Sequence, residues 1–223
     1  MRERYAALVI DFGGVLTTSL RESFRKFCEH EGIEFERLRS LVRTSYQVND
    51  PEDLVAKIET GRISVEEFER QLAEIFSEGM REPIVAEGLL ARMSENLELE
   101  PAIIGVVRAA HDAGVKTALL SNSWGMDLYP NELLEELFDE IVISGQVGKR
   151  KPDAEVFHLA ADGLEVEPTE CVFVDDVRTN IEAAEAVGMR GVLHDDVDET
   201  VAQLEGLLGM RLREAGSDAV GRL

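Results

Sequence analysis

The sequence predicts an α/β protein: a Rossmann-like, doubly wound parallel sheet with a helical subdomain inserted after the first strand. Three observations carry this. Short runs at 6–10, 116–120 and 171–174 are too brief for helices and mostly apolar without alternation, as strands covered on both faces are. From Pro101 onward such runs alternate with stretches of helical period, the pattern of βα units. Between about Leu20 and Ser94 the period is helical alone, with no convincing strand.

In chain order, the strand at 6–10 ends at Asp11, and Gly13-Gly14 breaks the pattern. Helical faces then follow in Phe24, Phe27 and Cys28, in Leu38, Leu41 and Val42, and in Leu54, Val55 and Ile58. Ser64 before Val65-Glu66-Glu67 has the form of a capping box and opens a helix through Phe68, Leu72 and Ile75-Phe76. Glu87–Met93 closes the set. Pro101 suits the first turn of a helix reaching Gly114. There follow a strand at Lys116–Leu120, a helix at Asn131–Leu137, a strand at Ile141–Ser144 and a helix from Ala154 to about Ala161. A strand at Cys171–Val174, a helix at about Thr179–Val187, a strand at Gly191–Leu193 and a helix at Glu199–Leu208 complete the pattern. The expected division is 1–17 and 95–210 for the sheet domain, 18–94 for the helical insertion and 211–223 for a polar tail.

Composition narrows the partners. A formal charge of −22 over 223 residues argues against nucleic acid and against an anionic membrane surface. The basic run Lys149-Arg150-Lys151 is too short to change that, and its first two members read as a solvated loop. Cys28 and Cys171 form no spacing motif, so a disulfide framework is not expected and a reducing, cytoplasmic setting fits. No secretory leader and no run approaching the ~20 apolar residues of a membrane span is visible. Oligomeric state is not legible.

Four segments end apolar runs or turns in phosphoryl-transfer chemistry: Ala-Leu-Val-Ile-Asp-Phe-Gly-Gly-Val-Leu (7–16), Ala-Leu-Leu-Ser-Asn-Ser (118–123), Gly-Lys-Arg-Lys-Pro-Asp (148–153) and Val-Phe-Val-Asp-Asp-Val-Arg-Thr-Asn (172–180). Each alone fits turn chemistry. In this order, at the carboxyl ends of successive strands where open α/β sheets bind ligands, turn chemistry is a poor explanation. Crowded carboxylates repel, and a divalent cation removes that cost.

On these motifs, and with Asn180, Ala183-Ala184 and Gly188-Met189 behind the fourth, the chain resembles the haloacid dehalogenase-like hydrolase superfamily. It is similar to the subgroup with an α-helical cap after the first motif, which includes many phosphatases, the 2-haloacid dehalogenases and the N-terminal domain of soluble epoxide hydrolase. The resemblance implies that Asp11 is a nucleophile taking the phosphoryl group. It implies that Mg²⁺ is held by Asp11, Asp176 and the Gly13 carbonyl, with Asp175 acting through water or from behind. Ser121 and the amide of Asn122 would hold phosphoryl oxygens, and Lys151 would neutralise nucleophile and phosphate. The implied substrate is a small phosphorylated metabolite.

One group departs from the family pattern. Its phosphatases carry a second aspartate two residues after the nucleophile, to protonate the leaving oxygen, and here that residue is Gly13. Good leaving groups are therefore expected. Two alternatives follow from the same departure: a 2-haloacid dehalogenase, whose halide leaves without a proton, and a catalytically weak domain that binds a ligand or a partner.

Overall fold

The computed structural model describes residues 5–48, 50–125 and 129–212; most of the expected tail lies outside them. Five parallel strands form one sheet: β1 (Ala7–Ile10), β2 (Lys116–Ser121), β3 (Glu140–Ile143), β4 (Cys171–Asp175) and β5 (Arg190–Leu193). Their order is β3-β2-β1-β4-β5. Side chains of a strand alternate between faces, and here both faces are apolar. Leu8 and Ile10 pack into a cluster with Ile103, Val107, Leu119 and Leu204, whereas Ala7 and Val9 join Leu120, Phe157, Cys171 and Phe173 on the other side. Helices α6 (Pro101–Asp112), α7 (Asn131–Leu137) and α11 (Val197–Leu208) contribute to the first cluster, α9 (Ala154–Gly163) and α10 (Arg178–Ala186) to the second.

The order puts the topological switch between β1 and β4, because the chain builds outward from β1 through β2 to β3 and then returns to the other side. Ile10 is level with Leu119 and with Val174. One residue on, the Asp11 N–H still donates to Val174 O at 3.0 Å. Asp11 therefore emerges beside Asp175 by register alone.

Between β1 and α6 the chain forms α1 (Leu20–Glu31), α2 (Phe35–Val48), α3 (Leu54–Glu59), α4 (Val65–Ser77) and α5 (Leu89–Ser94). These have an apolar cluster of their own, built on Phe27, Leu38, Phe68, Leu72, Phe76 and Met93. Ser64 Oγ accepts from Glu67 N at the start of α4, as the sequence pattern predicts. The two connections into this helical unit lie side by side: Thr18 N donates to Glu98 O at 2.8 Å and Glu100 N to Leu16 O at 2.8 Å.

One local expectation needs adjusting. The third strand ends at Ile143, because Ser144 opens a short helix, α8 (Ser144–Val147), and its Oγ accepts from Ser123 N at 2.9 Å. A four-residue turn is too short to register as a period. Cys28 and Cys171 are both buried free thiols. Among the described residues no helix is long and apolar enough to cross a membrane.

Candidate active site

Strand ends bring the acids together. Asp11 follows β1, Asp175 ends β4, and Asp176 is next to it; one carboxylate oxygen from each lies within 4.8 Å of the others. Asp11 turns its Oδ1 back onto Phe12 N at 2.7 Å. Asp175 is fully buried and already occupied by protein donors: Val177 N at 2.7 Å, Lys151 Nζ at 2.7 Å, and Asn180 Nδ2 at 3.1 Å from both of its oxygens. Asp176 has surface in solvent and stands at the open side of the trio.

The loop between Asp11 and Thr17 is shaped to admit Asp176. Gly14 has φ +83°, a left-handed conformation that costs other residues about 1–2 kcal/mol. A Cβ there would sit 2.6 Å from Asp176 Oδ2. The next-door position carries a different message. A Cβ at Gly13 would lie 2.4 Å from Leu20 Cδ1. The first residue of α1 thus fills the space where an aspartate side chain would start, and an isobutyl group stands in place of an acid.

Lys151 is the cation of the site. It is 1% exposed, and its Nζ meets Asp11 Oδ1 at 2.7 Å, Asp175 Oδ2 at 2.7 Å and Leu120 O at 2.9 Å. Those three contacts match the three protons of an ammonium. Burial works against its charge, but the two carboxylates outweigh burial and hold its pKa above the ordinary lysine range. Burial, and the charges of Asp175 and Asp176, raise the Asp11 carboxyl against the pull of Lys151. Desolvation and then Asp175 push Asp176 up to about 6. With all three carboxylates ionised, the one ammonium leaves two negative charges uncompensated. An all-oxygen donor set with that excess fits a hard divalent cation.

Ser121 closes β2, buried, with its Oγ 2.8 Å from the Tyr129 hydroxyl. Tyr129 is a residue the sequence reading missed. It packs on Phe12, with ring centroids 4.7 Å apart, and lies close enough to Asp11 and Lys151 to feel both charges. The side chain of Asn122 points to Lys151: its Nδ2 donates to Lys151 O at 2.9 Å and its Oδ1 accepts from Lys151 N at 2.8 Å.

Arg150 overturns the reading of a solvated loop. It is 3% exposed and forms a buried ion pair with Glu59, at the end of α3, at 2.8 Å. It also reaches Ser45 Oγ at 3.3 Å and lies over the Tyr46 ring, 5.0 Å from the centroid. Glu59 gathers Tyr46 OH at 2.8 Å and Trp124 Nε1 at 3.0 Å as well. Trp124 stacks on Phe24 and meets Phe68 edge-on. No spacing rule links these residues. The faint signal was that the only tryptophan follows the second motif by one residue.

The model of the haloacid dehalogenase-like hydrolases matches residues 5–188. The chain belongs to that family, and it is a hydrolase. It is 29% identical to the Phosphorylated carbohydrates phosphatase of Thermotoga maritima, over 96% of this chain and 93% of that protein. It is 27% identical to pig Bifunctional epoxide hydrolase 2 over 92% of this chain, but it spans only 39% of that relative's length. Among solved structures, the HAD family enzyme bt-2542 of Bacteroides thetaiotaomicron, in complex with magnesium and inorganic phosphate, superposes with a TM-score of 0.60 at 21% identity. That match covers 86% of this chain and 94% of the other.

Proposed function

We propose that this chain is a Mg²⁺-dependent phosphatase of small phosphorylated metabolites, working through a phosphoryl group carried on Asp11. The observation behind this reading is the acid trio, within 4.8 Å, with Lys151 clamped onto the member that ends β1. Asp11 attacks phosphorus and becomes an aspartyl phosphate; the bond to the leaving oxygen breaks, and water later releases phosphate. Lys151 pulls the Asp11 carboxyl towards its ionised form and aims it, and neutralises charge on the transferring group. Ser121 Oγ and the Asn122 amide receive the phosphoryl oxygens, with Tyr129 fixing the Ser121 rotor. Asp11, Asp176 and the Gly13 carbonyl would hold Mg²⁺, with Asp175 orienting it from behind. The ion supplies charge neutralisation at the phosphoryl group.

Leu20, where an acid would begin, favours leaving oxygens of lower basicity, which need less help from an acid: acyl, aryl or sugar 1-phosphates. A dehalogenase needs no cation, so the two uncompensated charges weigh against it. Unpaired thiols fit a reducing cytoplasm. The test is phosphate release from a panel of phosphorylated metabolites with Mg²⁺ or EDTA, with Asp11→Asn as control. Release that needs both Mg²⁺ and Asp11 is expected. Halide release from a 2-haloacid in EDTA would overturn the reading.

A further inference from the structure

The catalytic lysine and its neighbour Asn122 are held by the helical insertion as well as by the sheet. The Asn122 carboxamide pairs reciprocally with the Lys151 main chain, as above. Its second amide proton goes to Tyr46 OH, at 3.0 Å. Tyr46 lies on α2 and is 76 residues away in sequence. Its hydroxyl in turn donates to Glu59 Oε1, at 2.8 Å. The opposite oxygen of Glu59 is fixed by Arg150, one residue before Lys151. The loop of contacts runs Lys151, Asn122, Tyr46, Glu59, Arg150, and returns to Lys151 through the backbone. Tyr46 and Glu59 belong to the insertion, and Lys151, Asn122 and Arg150 to the sheet domain. Trp124 ties the same Glu59 to the second motif from the other side.

A hydroxyl used as donor and acceptor between two side chains has only one rotor setting that serves both. An insertion seated on the sheet domain therefore sets the Asn122 carboxamide, and through it the Lys151 backbone. An insertion that lifts away would release them. We propose that Tyr46 is a positioning residue for the reaction, coupling the seating of the helical insertion to the placement of Asn122 and Lys151. The inference rests on the phosphatase reading for its kinetic consequence but not for its structural one.

Tyr46→Phe is the test, because it removes one oxygen and strands little. Glu59 Oε1 keeps Trp124 Nε1, and Asn122 Nδ2 keeps the Lys151 carbonyl. Two quantities are read on the full chain. The first is kcat and KM for p-nitrophenyl phosphate with Mg²⁺. The second, independent of activity, is hydrogen exchange at the Lys151 amide, which donates to Asn122 Oδ1. The expected result is a five- to twentyfold loss of kcat, KM within twofold, and Lys151 exchange at least tenfold faster with the melting temperature little changed. Unchanged Lys151 exchange overturns the proposal whatever the kinetics. Faster exchange with kcat intact in an active enzyme overturns it too. A wild type inert towards phosphate esters, with the exchange effect present, would sink the phosphatase reading and leave the positioning role standing.

Discussion

At the residue scale, the proposed phosphatase chemistry makes positions 13 and 20 the ones that set which substrates react well. Gly13 carries no acid, and the Leu20 side chain occupies the space in which one would begin. General acid catalysis contributes about 10²–10⁴-fold, so alkyl phosphates, with basic leaving oxygens, should be slow. Wild type should show a steep dependence of kcat/KM on leaving-group pKa. Gly13→Asp alone must turn the Leu20 side chain aside, since its Cδ1 stands 2.4 Å from the new Cβ, and should flatten the slope only in part. Gly13→Asp with Leu20→Ala should flatten the slope and speed alkyl phosphates by about 10-fold or more. A flat wild-type slope would mean another group already supplies the proton. Gly14 makes a complementary prediction. Its positive φ and the 2.6 Å approach to Asp176 mean that Gly14→Ala should lower stability by about 1–2 kcal/mol, and should weaken Mg²⁺ binding. Urea unfolding and magnesium titration measure the two effects; unchanged Mg²⁺ affinity would show that Asp176 can move aside freely.

At the element scale, the joint between α3 and the loop before α9 is a buried ion pair, 91 residues apart in sequence. Removing one partner leaves a charge stranded in the interior, which costs about 3–5 kcal/mol. Arg150→Ala should lose stability on that scale in urea unfolding, whereas Lys149→Ala, whose partner Glu155 is exposed, should change it by less than about 1 kcal/mol. Equal effects would mean that Glu59 finds other compensation. This joint also marks where sequence reasoning stops. Strands covered on both faces leave short apolar runs, and helices leave a 3.6-residue period, so the βα alternation and the helical block at 20–94 were readable. Asp11, Ser121 and Asp175-Asp176 were readable as candidates because each ends or follows such a run, and Lys151 because its basic Lys-Pro segment falls between them in motif order. Arg150 was not, because a charge in a basic run says nothing about a carboxylate 91 residues away. Tyr129, Tyr46 and Leu20 escaped for the same reason: their significance is a contact made only after the chain has folded.

At the scale of the whole molecule, charge and metal are linked. Folding gathers Asp11 and Asp176 where protonation is easier than in the unfolded chain, so their folded pKa values are raised, Asp176 to about 6. Between the ordinary carboxylate range near 4 and about 8, the upper limit set by Asp11, the folded state therefore holds more protons than the unfolded one. Stability of the metal-free protein should fall as pH rises through that window. Mg²⁺ should restore it, with a larger rise in melting temperature at pH 7.5 than at pH 5, because binding to the folded state stabilises by mass action. A magnesium effect independent of pH would contradict the acid trio as its site. The central claim is covalent: that the phosphoryl group passes through Asp11. Acid-quenched turnover with acetyl phosphate and Mg²⁺, followed by peptide mass spectrometry, measures this directly. The expected result is one added phosphoryl group on the peptide containing Asp11, absent with EDTA and in Asp11→Asn. A phosphoryl group on any other residue, or steady turnover in Asp11→Asn, would contradict the account.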